Sequence, residues 1–187
     1  GHMSEYVPYF RKRSDLIDKY CREGYRGGRG FYARNWPDWR KSLDERRKRI
    51  IRGDEEPDLK RSVEYASEII DGIVFDRRKV IHGNVQNTGL ITNLPRNEVV
   101  EVACLIDRNG ISPIHFGELP PQLAALNRSN MAVYDMIVRA IMNNSYEMAE
   151  QALMLDPLTS AVCSLEEIRA MFAELYRAEK EYIPELE

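Results

Sequence analysis

The run from Ile81 to Asn130, IHGNVQNTGLITNLPRNEVVEVACLIDRNGISPIHFGELPPQLAALNRSN, decides how this chain folds. Asn84 and Asn87 bracket Val85 and Gln86, Gly89 follows, and Asn93, Leu94 and Pro95 close the segment. Asn, Gly and Pro supply backbone conformations that other residues resist, so the spacing predicts a shaped loop. Val99 to Ile106 reads as a strand, rich in β-branched residues around Glu101 and Cys104. Asp107-Arg108-Asn109-Gly110 ends in Asn-Gly, the strongest short hairpin signal, and predicts a returning strand over Ile111 to Phe116. Pro120 and Pro121 then open a long helix.

Helices account for the rest. Ser14 reads as the N-cap of a short helix ending at Tyr20 or Cys21, and Pro37 to Arg52 as a helix with proline in its first turn. Ser62 to Ile73 carries Val63, Ala66, Ile69, Ile70 and Ile73 at helical spacing, which predicts a core-facing stripe. Gln122 to Met142 repeats that pattern through Leu123, Leu126, Val133, Ile137 and Ile141. Tyr146 to Leu155 follows, Asp156-Pro157 breaks the chain, and Ser164-Leu165-Glu166-Glu167 is a capping box for a last helix reaching about Tyr182. Ser4 to Phe10 reads as extended. Gly24 to Gly30 breaks regular structure, and its Gly-x-Gly lacks the preceding strand a phosphate-cradling loop requires. Strands in the middle and helices elsewhere predict an α+β fold with an antiparallel sheet packed against long helices.

Composition narrows the partners. The 187 residues carry 27 Lys and Arg against 30 Asp and Glu, a net charge of -3 that gives no global attraction to nucleic acid or anionic membrane. The basic run Arg46-Arg47-Lys48-Arg49 is read as a solvated helix face, because Asp44, Glu45, Asp54, Glu55 and Glu56 surround it. No apolar run approaches the length of a membrane-spanning helix. Three scattered cysteines argue against a disulfide framework and fit a cytoplasmic protein, with Cys104 read as a buried apolar residue. Gly1-His2-Met3 is read as an expression-tag remnant, leaving residues 4–187 as the domain.

Several long stretches resemble the C-terminal part of glycoside hydrolase family 4: Gly83–Pro95 (GNVQNTGLITNLP), Val100–Pro113 (VEVACLIDRNGISP), Leu119–Asn130 (LPPQLAALNRSN), Met154–Val162 (MLDPLTSAV) and the opening Ser4–Arg13. The resemblance implies a domain like the C-terminal domain of lactate and malate dehydrogenases, from the α-galactosidase and α-glucosidase branch. It implies O-glycoside hydrolysis by NAD-assisted oxidation, elimination, addition and reduction, with manganese beside the sugar and a tyrosine base. This differs from the two-carboxylate scheme, and Glu101, Asp107 and Glu118 receive no such role. The N-terminal Rossmann domain is absent, since no Gly-x-Gly-x-x-Gly follows a strand. His82 and His115 lack partners at metal-ligand spacing, so neither NAD nor manganese is expected on this segment.

The resemblance places Tyr6 at the start of the catalytic-tyrosine segment, with Tyr9 as a competitor. Asn84 and Asn87 are candidate substrate-binding residues, because amides both donate to and accept from sugar hydroxyls; the alternative is that they satisfy backbone groups in a turn. Alone, the segment is expected to be inactive and to self-associate as a homodimer or homotetramer through surface that faces the missing domain in the whole enzyme. The rival reading is a stand-alone carbohydrate-binding or oligomerisation module.

Overall fold

A computed structural model describes residues 7–21, 31–60, 63–183 and 185–187, in two compact units, Gly1–Val63 and Glu64–Glu187. The first unit holds a 3-10 turn at Pro8–Phe10, helix α1 (Ser14–Tyr20) and helix α2 (Phe31–Arg52). The turn at Pro8 replaces the extended chain expected there. Ser14 lies inside α1, and Arg13 takes the N-cap position without a side-chain cap bond. Helix α2 starts six residues earlier than expected, so Pro37 sits inside it rather than in its first turn. Gly24 to Gly30 falls outside the described residues.

The second unit is α+β. Helix α3 (Ala66–Phe75) leads into β1 (Lys79–Gln86), β2 (Val99–Asp107) and β3 (Gly110–Pro113), followed by α4 (Pro121–Met142), α5 (Tyr146–Leu155), α6 (Pro157–Val162) and α7 (Leu165–Glu179). The three strands form one antiparallel sheet in the order β1-β2-β3. Strand period sends Val100, Val102, Cys104 and Ile106 of β2 to one face, where they are buried. The register sets Ile81 opposite Cys104 and Val85 opposite Val100, so β1 adds to that face. Ile91, Leu94, Ala124 and Met131 complete the core.

Helix α3 is seated by Gly72. A Cβ there would stand 2.9 Å from Ile106 Cγ2 and 3.1 Å from the Arg77 carbonyl oxygen. This contact sets the helix's rotation: Ile69 packs on the core, while Ile70 and Val74 face solvent. Of the stripe expected over Ser62 to Ile73, only Ile69 packs inward; Ala66, Ile70 and Ile73 are exposed, and Val63 lies ahead of the helix, which starts at Ala66. The end of α3 turns through Asp76 at φ 56, and the Asp76 carboxylate accepts from Arg108 Nε at 2.9 Å across the β2–β3 hairpin. Helix α4 shows the same displacement. Ala124, Met131 and Ala140 are buried and Leu126 and Val133 half-buried, while Leu123, Ile137 and Ile141 of the expected stripe lie exposed.

At the hairpin, Asn109 keeps negative φ and Gly110 takes φ 101, so this is not the mirror-image turn that Asn-Gly favours. The Asp107 carboxylate holds it by accepting the Asn109 N–H at 2.8 Å. Beyond Asp156 the chain does not stay broken: that side chain caps α6 by accepting from Thr159 N–H at 2.7 Å. The capping box of α7 is present, with Ser164 N–H donating to Glu167 Oε2 at 2.7 Å and Glu167 N–H to Ser164 Oγ at 3.3 Å. Ala149, Ala152 and Ile168 are buried, and Tyr146 meets Phe172 and Tyr176 edge to face while those two rings stack.

Two predictions follow from this packing. Gly72→Val removes the close approach of α3 to Ile106 and destabilises the second unit by about 1–3 kcal/mol, read from its urea midpoint. The Ser164 backbone N–H, and then its hydroxyl, hold the Glu167 carboxyl below the ordinary glutamate range. Stability from this cap is present above the unfolded carboxyl's pKa and is lost as pH falls through the lowered one. The gap in melting temperature between the native protein and Glu167→Gln should therefore close on acidification.

Candidate functional site

Asn84 and Asn87 sit on either side of the point where β1 leaves the sheet. Strand β1 was not expected: its alternation of Ile81, Gly83 and Val85 with His82, Asn84 and Gln86 is diluted by glycine and asparagine. Asn84 lies within it, on the face away from the core, exposed and opposite Glu101 of β2. Its side chain has no hydrogen-bond partner among the described residues. An amide beside a carboxylate on an open face can bracket neighbouring hydroxyls of a polyol, one donating and accepting, the other accepting. His82 projects from the same face, and its backbone carbonyl accepts from Tyr65 Oη at 2.9 Å.

Asn87 is placed differently. It is 0% exposed, and both ends of its amide are spent on its own loop. Nδ2 donates to the carbonyls of Ile91 (3.0 Å), Leu94 (3.2 Å) and Pro95 (3.0 Å), while Oδ1 accepts from the N–H groups of Gly89 (3.2 Å) and Ile91 (3.0 Å). The Asn87 backbone closes the loop base, its N–H donating to Glu98 O at 2.7 Å and its carbonyl accepting from Asn97 N–H at 3.1 Å. Asn97 takes φ 73 and Gly89 φ 108, conformations that Asn and Gly tolerate.

The loop is also fastened from outside. Strand β3 ends at Pro113 instead of running to Phe116, and Ile114 N–H makes the last bond to β2, donating to Ala103 O at 2.8 Å. The chain crosses to the loop, where Phe116 N–H donates to Leu90 O at 2.8 Å and Thr92 N–H to Gly117 O at 2.9 Å. Asn93 grips Leu119 with two bonds, Nδ2 to the carbonyl at 2.7 Å and Oδ1 from the N–H at 3.0 Å. Arg96 and Arg128 donate to the carbonyls of Thr88 (2.8 Å) and Asn93 (3.1 Å). These clamps were not anticipated. The only trace of Asn93 in the sequence is its place before Leu-Pro, and the arginines act from positions with no local pattern.

Tyr6 lies outside the described residues. Cys104 is fully buried on the core face, as expected, with its thiol 3.4 Å from the Val102 carbonyl. His82 and His115 are exposed, and among the described residues no three His, Cys, Asp or Glu side chains gather as a metal site. The described residues therefore do not fit manganese. The two asparagines separate by substitution. Asn87→Ala strands loop carbonyls and N–H groups and costs about 3 kcal/mol or more, whereas Asn84→Ala stays within about 0.5 kcal/mol, both measured by denaturant unfolding.

Comparison with known proteins bears out the family resemblance. The chain matches the family 4 glycosyl hydrolase C-terminal domain over residues 2–159. It is 39% identical over 193 residues to an alpha-galactosidase of Bacillus subtilis (strain 168), an alignment covering 98% of this chain and 42% of that protein. An alpha-galactosidase of Rhizobium meliloti (strain 1021) is 32% identical, over 99% of this chain and 39% of its own length. Among solved structures, the 6-phospho-beta glucosidase from Thermotoga maritima has a TM-score of 0.74 at 21% identity, over 96% of this chain and 41% of that one. A 6-phospho-alpha-glucosidase from gut microorganisms, solved in complex with NAD and Mn2+, has a TM-score of 0.64 at 22% identity, over 75% of this chain and 32% of that one. At such identities the structures speak for the fold, and they agree with the expected α+β, dehydrogenase-like C-terminal domain. The chain spans about two fifths of the length of the alpha-galactosidases it matches. It belongs to the C-terminal domain family of the family 4 glycosyl hydrolases.

Proposed function

We propose that this chain is the C-terminal, sugar-facing part of a glycosidase acting on the O-glycosidic bonds of α-galactosides or α-glucosides. The observation that carries this reading is the match to an alpha-galactosidase along nearly the whole chain but under half of the relative. The whole enzyme uses NAD and manganese in an oxidation, elimination, addition and reduction sequence. Support comes from the related structure solved with both groups. Their donors lie in the remaining part of the enzyme, and no step is assigned to them here.

Within this chain, Asn84 bonds sugar hydroxyls from the open sheet face. Asn87 keeps its part in substrate binding by fixing the loop that borders that face. Tyr6 is the proton-abstracting base; a free tyrosine has a pKa near 10, so it needs a neighbouring cation or metal to act. The enzyme is cytoplasmic, a reading supported by three free cysteines. No described helix is long and apolar enough to cross a membrane. The chain self-associates as a homodimer or homotetramer, and without its cofactor half it does not turn over.

The test fuses this chain behind the N-terminal part of the Bacillus subtilis alpha-galactosidase and follows release of galactose from an α-galactoside. NAD- and manganese-dependent release is expected from the fusion, and none from the chain alone. Asn84→Ala in the fusion should raise KM roughly tenfold. Hydrolysis by the chain alone without NAD contradicts the reading. Tight binding of the α-galactoside by the chain alone, with an inactive fusion, supports a stand-alone binding module instead.

A further inference from the structure

The chain holds ten asparagines, and their surroundings decide how long each side-chain amide survives. An asparagine Cγ is an electrophile one residue away from a backbone nitrogen that can attack it. Three things prevent the attack: hydrogen bonds that hold the amide, regular structure that holds the backbone, and a following side chain that obstructs the approach. Asn87 and Asn93 are held by their loop bonds, and Asn127, Asn130 and Asn143 each donate Nδ2 to a carbonyl of α4. Asn35 lies within α2. Asn84 lies within β1 and is followed by the β-branched Val85. Asn97 and Asn144 are followed by Glu98 and Ser145, each with a side chain in the way.

Asn109 escapes all three. It is exposed at the turn between β2 and β3, and its side chain makes no hydrogen bond among the described residues. Gly110 follows, with no Cβ to obstruct its own nitrogen. A Cβ built on Gly110 would meet nothing within 4 Å, so no packed neighbour restrains the turn on that side.

We propose that Asn109-Gly110 is a self-modification site, where Asn109 is converted to aspartate and isoaspartate. The Gly110 nitrogen gives up its proton and bonds to Asn109 Cγ. The Cγ–Nδ2 bond breaks, and the amide nitrogen leaves with a proton as ammonia. The resulting succinimide ring takes up one water, hydroxyl to a ring carbonyl carbon and hydrogen to the ring nitrogen. Opening at Cγ gives aspartate, and opening at the backbone carbonyl gives isoaspartate, whose chain runs through Cβ and Cγ. Water is the sole co-reactant, and nothing is oxidised or reduced.

The products strain a turn that is tied to α3. The Asp107 carboxylate accepts the Asn109 N–H at 2.8 Å, while the Arg108 N–H and Nε reach the Asp76 carboxylate at 3.2 and 2.9 Å. A carboxylate on residue 109 repels that of Asp107. Isoaspartate also adds one atom to the backbone, so Gly110 no longer stands opposite Asp107 and the Arg108 bonds are drawn out of line.

The test incubates the folded chain at neutral and at mildly alkaline pH and follows the products by mass spectrometry. A digest that cuts after glutamate releases Val102–Glu118, in which Asn109 is the only asparagine. The expected result is conversion of this peptide that grows with time and runs faster at the higher pH. Enzymatic methyl transfer to the free α-carboxyl detects the isoaspartate, and Asn109→Ala abolishes both signals. Ageing should lower the melting temperature of the native chain by about 2–4 °C and leave that of Asn109→Ala unmoved. A folded chain that keeps Asn109 intact overturns the proposal; conversion in urea alone would show that the hairpin holds the nitrogen out of reach. Conversion that runs as fast at Asn84 or Asn144, located by fragmentation, overturns the selection of this site. An aged chain with an unchanged melting temperature overturns the strain on the turn.

Discussion

Asn87 spends its amide entirely inside one loop, and the geometry of the second unit depends on that. Five side-chain bonds from a single buried residue replace the secondary structure that the loop from Asn87 to Pro95 lacks. An unpaired buried carbonyl or N–H is expensive, so this loop is either held in one conformation or not buried at all. Once held, it places Ile91 and Leu94 in the core and offers Leu90 and Thr92 as partners for the chain leaving β3. That crossing positions Leu119, which Asn93 grips, and so sets the start of α4. Sheet, loop and long helix are thus linked through side-chain amides.

What could be read in advance follows from the range of the forces involved. Caps and hairpins are local, and Ser164 with Glu167, the Asn109-Gly110 turn and the α5 span were all visible in a few consecutive residues. Strand β2 was visible because Val99, Val100, Val102 and Ile106 crowd β-branched side chains into one short run. Strand β1 was not, since Gly83 and Asn84 lower its β-propensity and only pairing with β2 makes it a strand. The exposed stripes of α3 and α4 misled for a related reason. Helical spacing identifies an apolar face, but which face turns inward is settled by where the backbone can approach, here at Gly72, Ala124 and Ala140. At the site, the presence of the two asparagines was legible and their difference was not. One residue's step along the strand decides whether an amide meets solvent or the interior, and the loop partners of Asn87 are set by tertiary closure.

The exposed apolar residues fall on regular helical faces. Ile70 and Val74 of α3 and Val138 and Ile141 of α4 are exposed faces that look like core in the sequence.

The central claim, that this chain is one part of a larger redox-assisted glycosidase, is tested most directly by reading the coding DNA upstream of the Ser4 codon. The account predicts an open frame encoding a strand, a Gly-x-Gly turn and a helix, followed by cysteine and histidine suited to a metal. A stop codon in frame, or a start codon just ahead of Ser4, would contradict it.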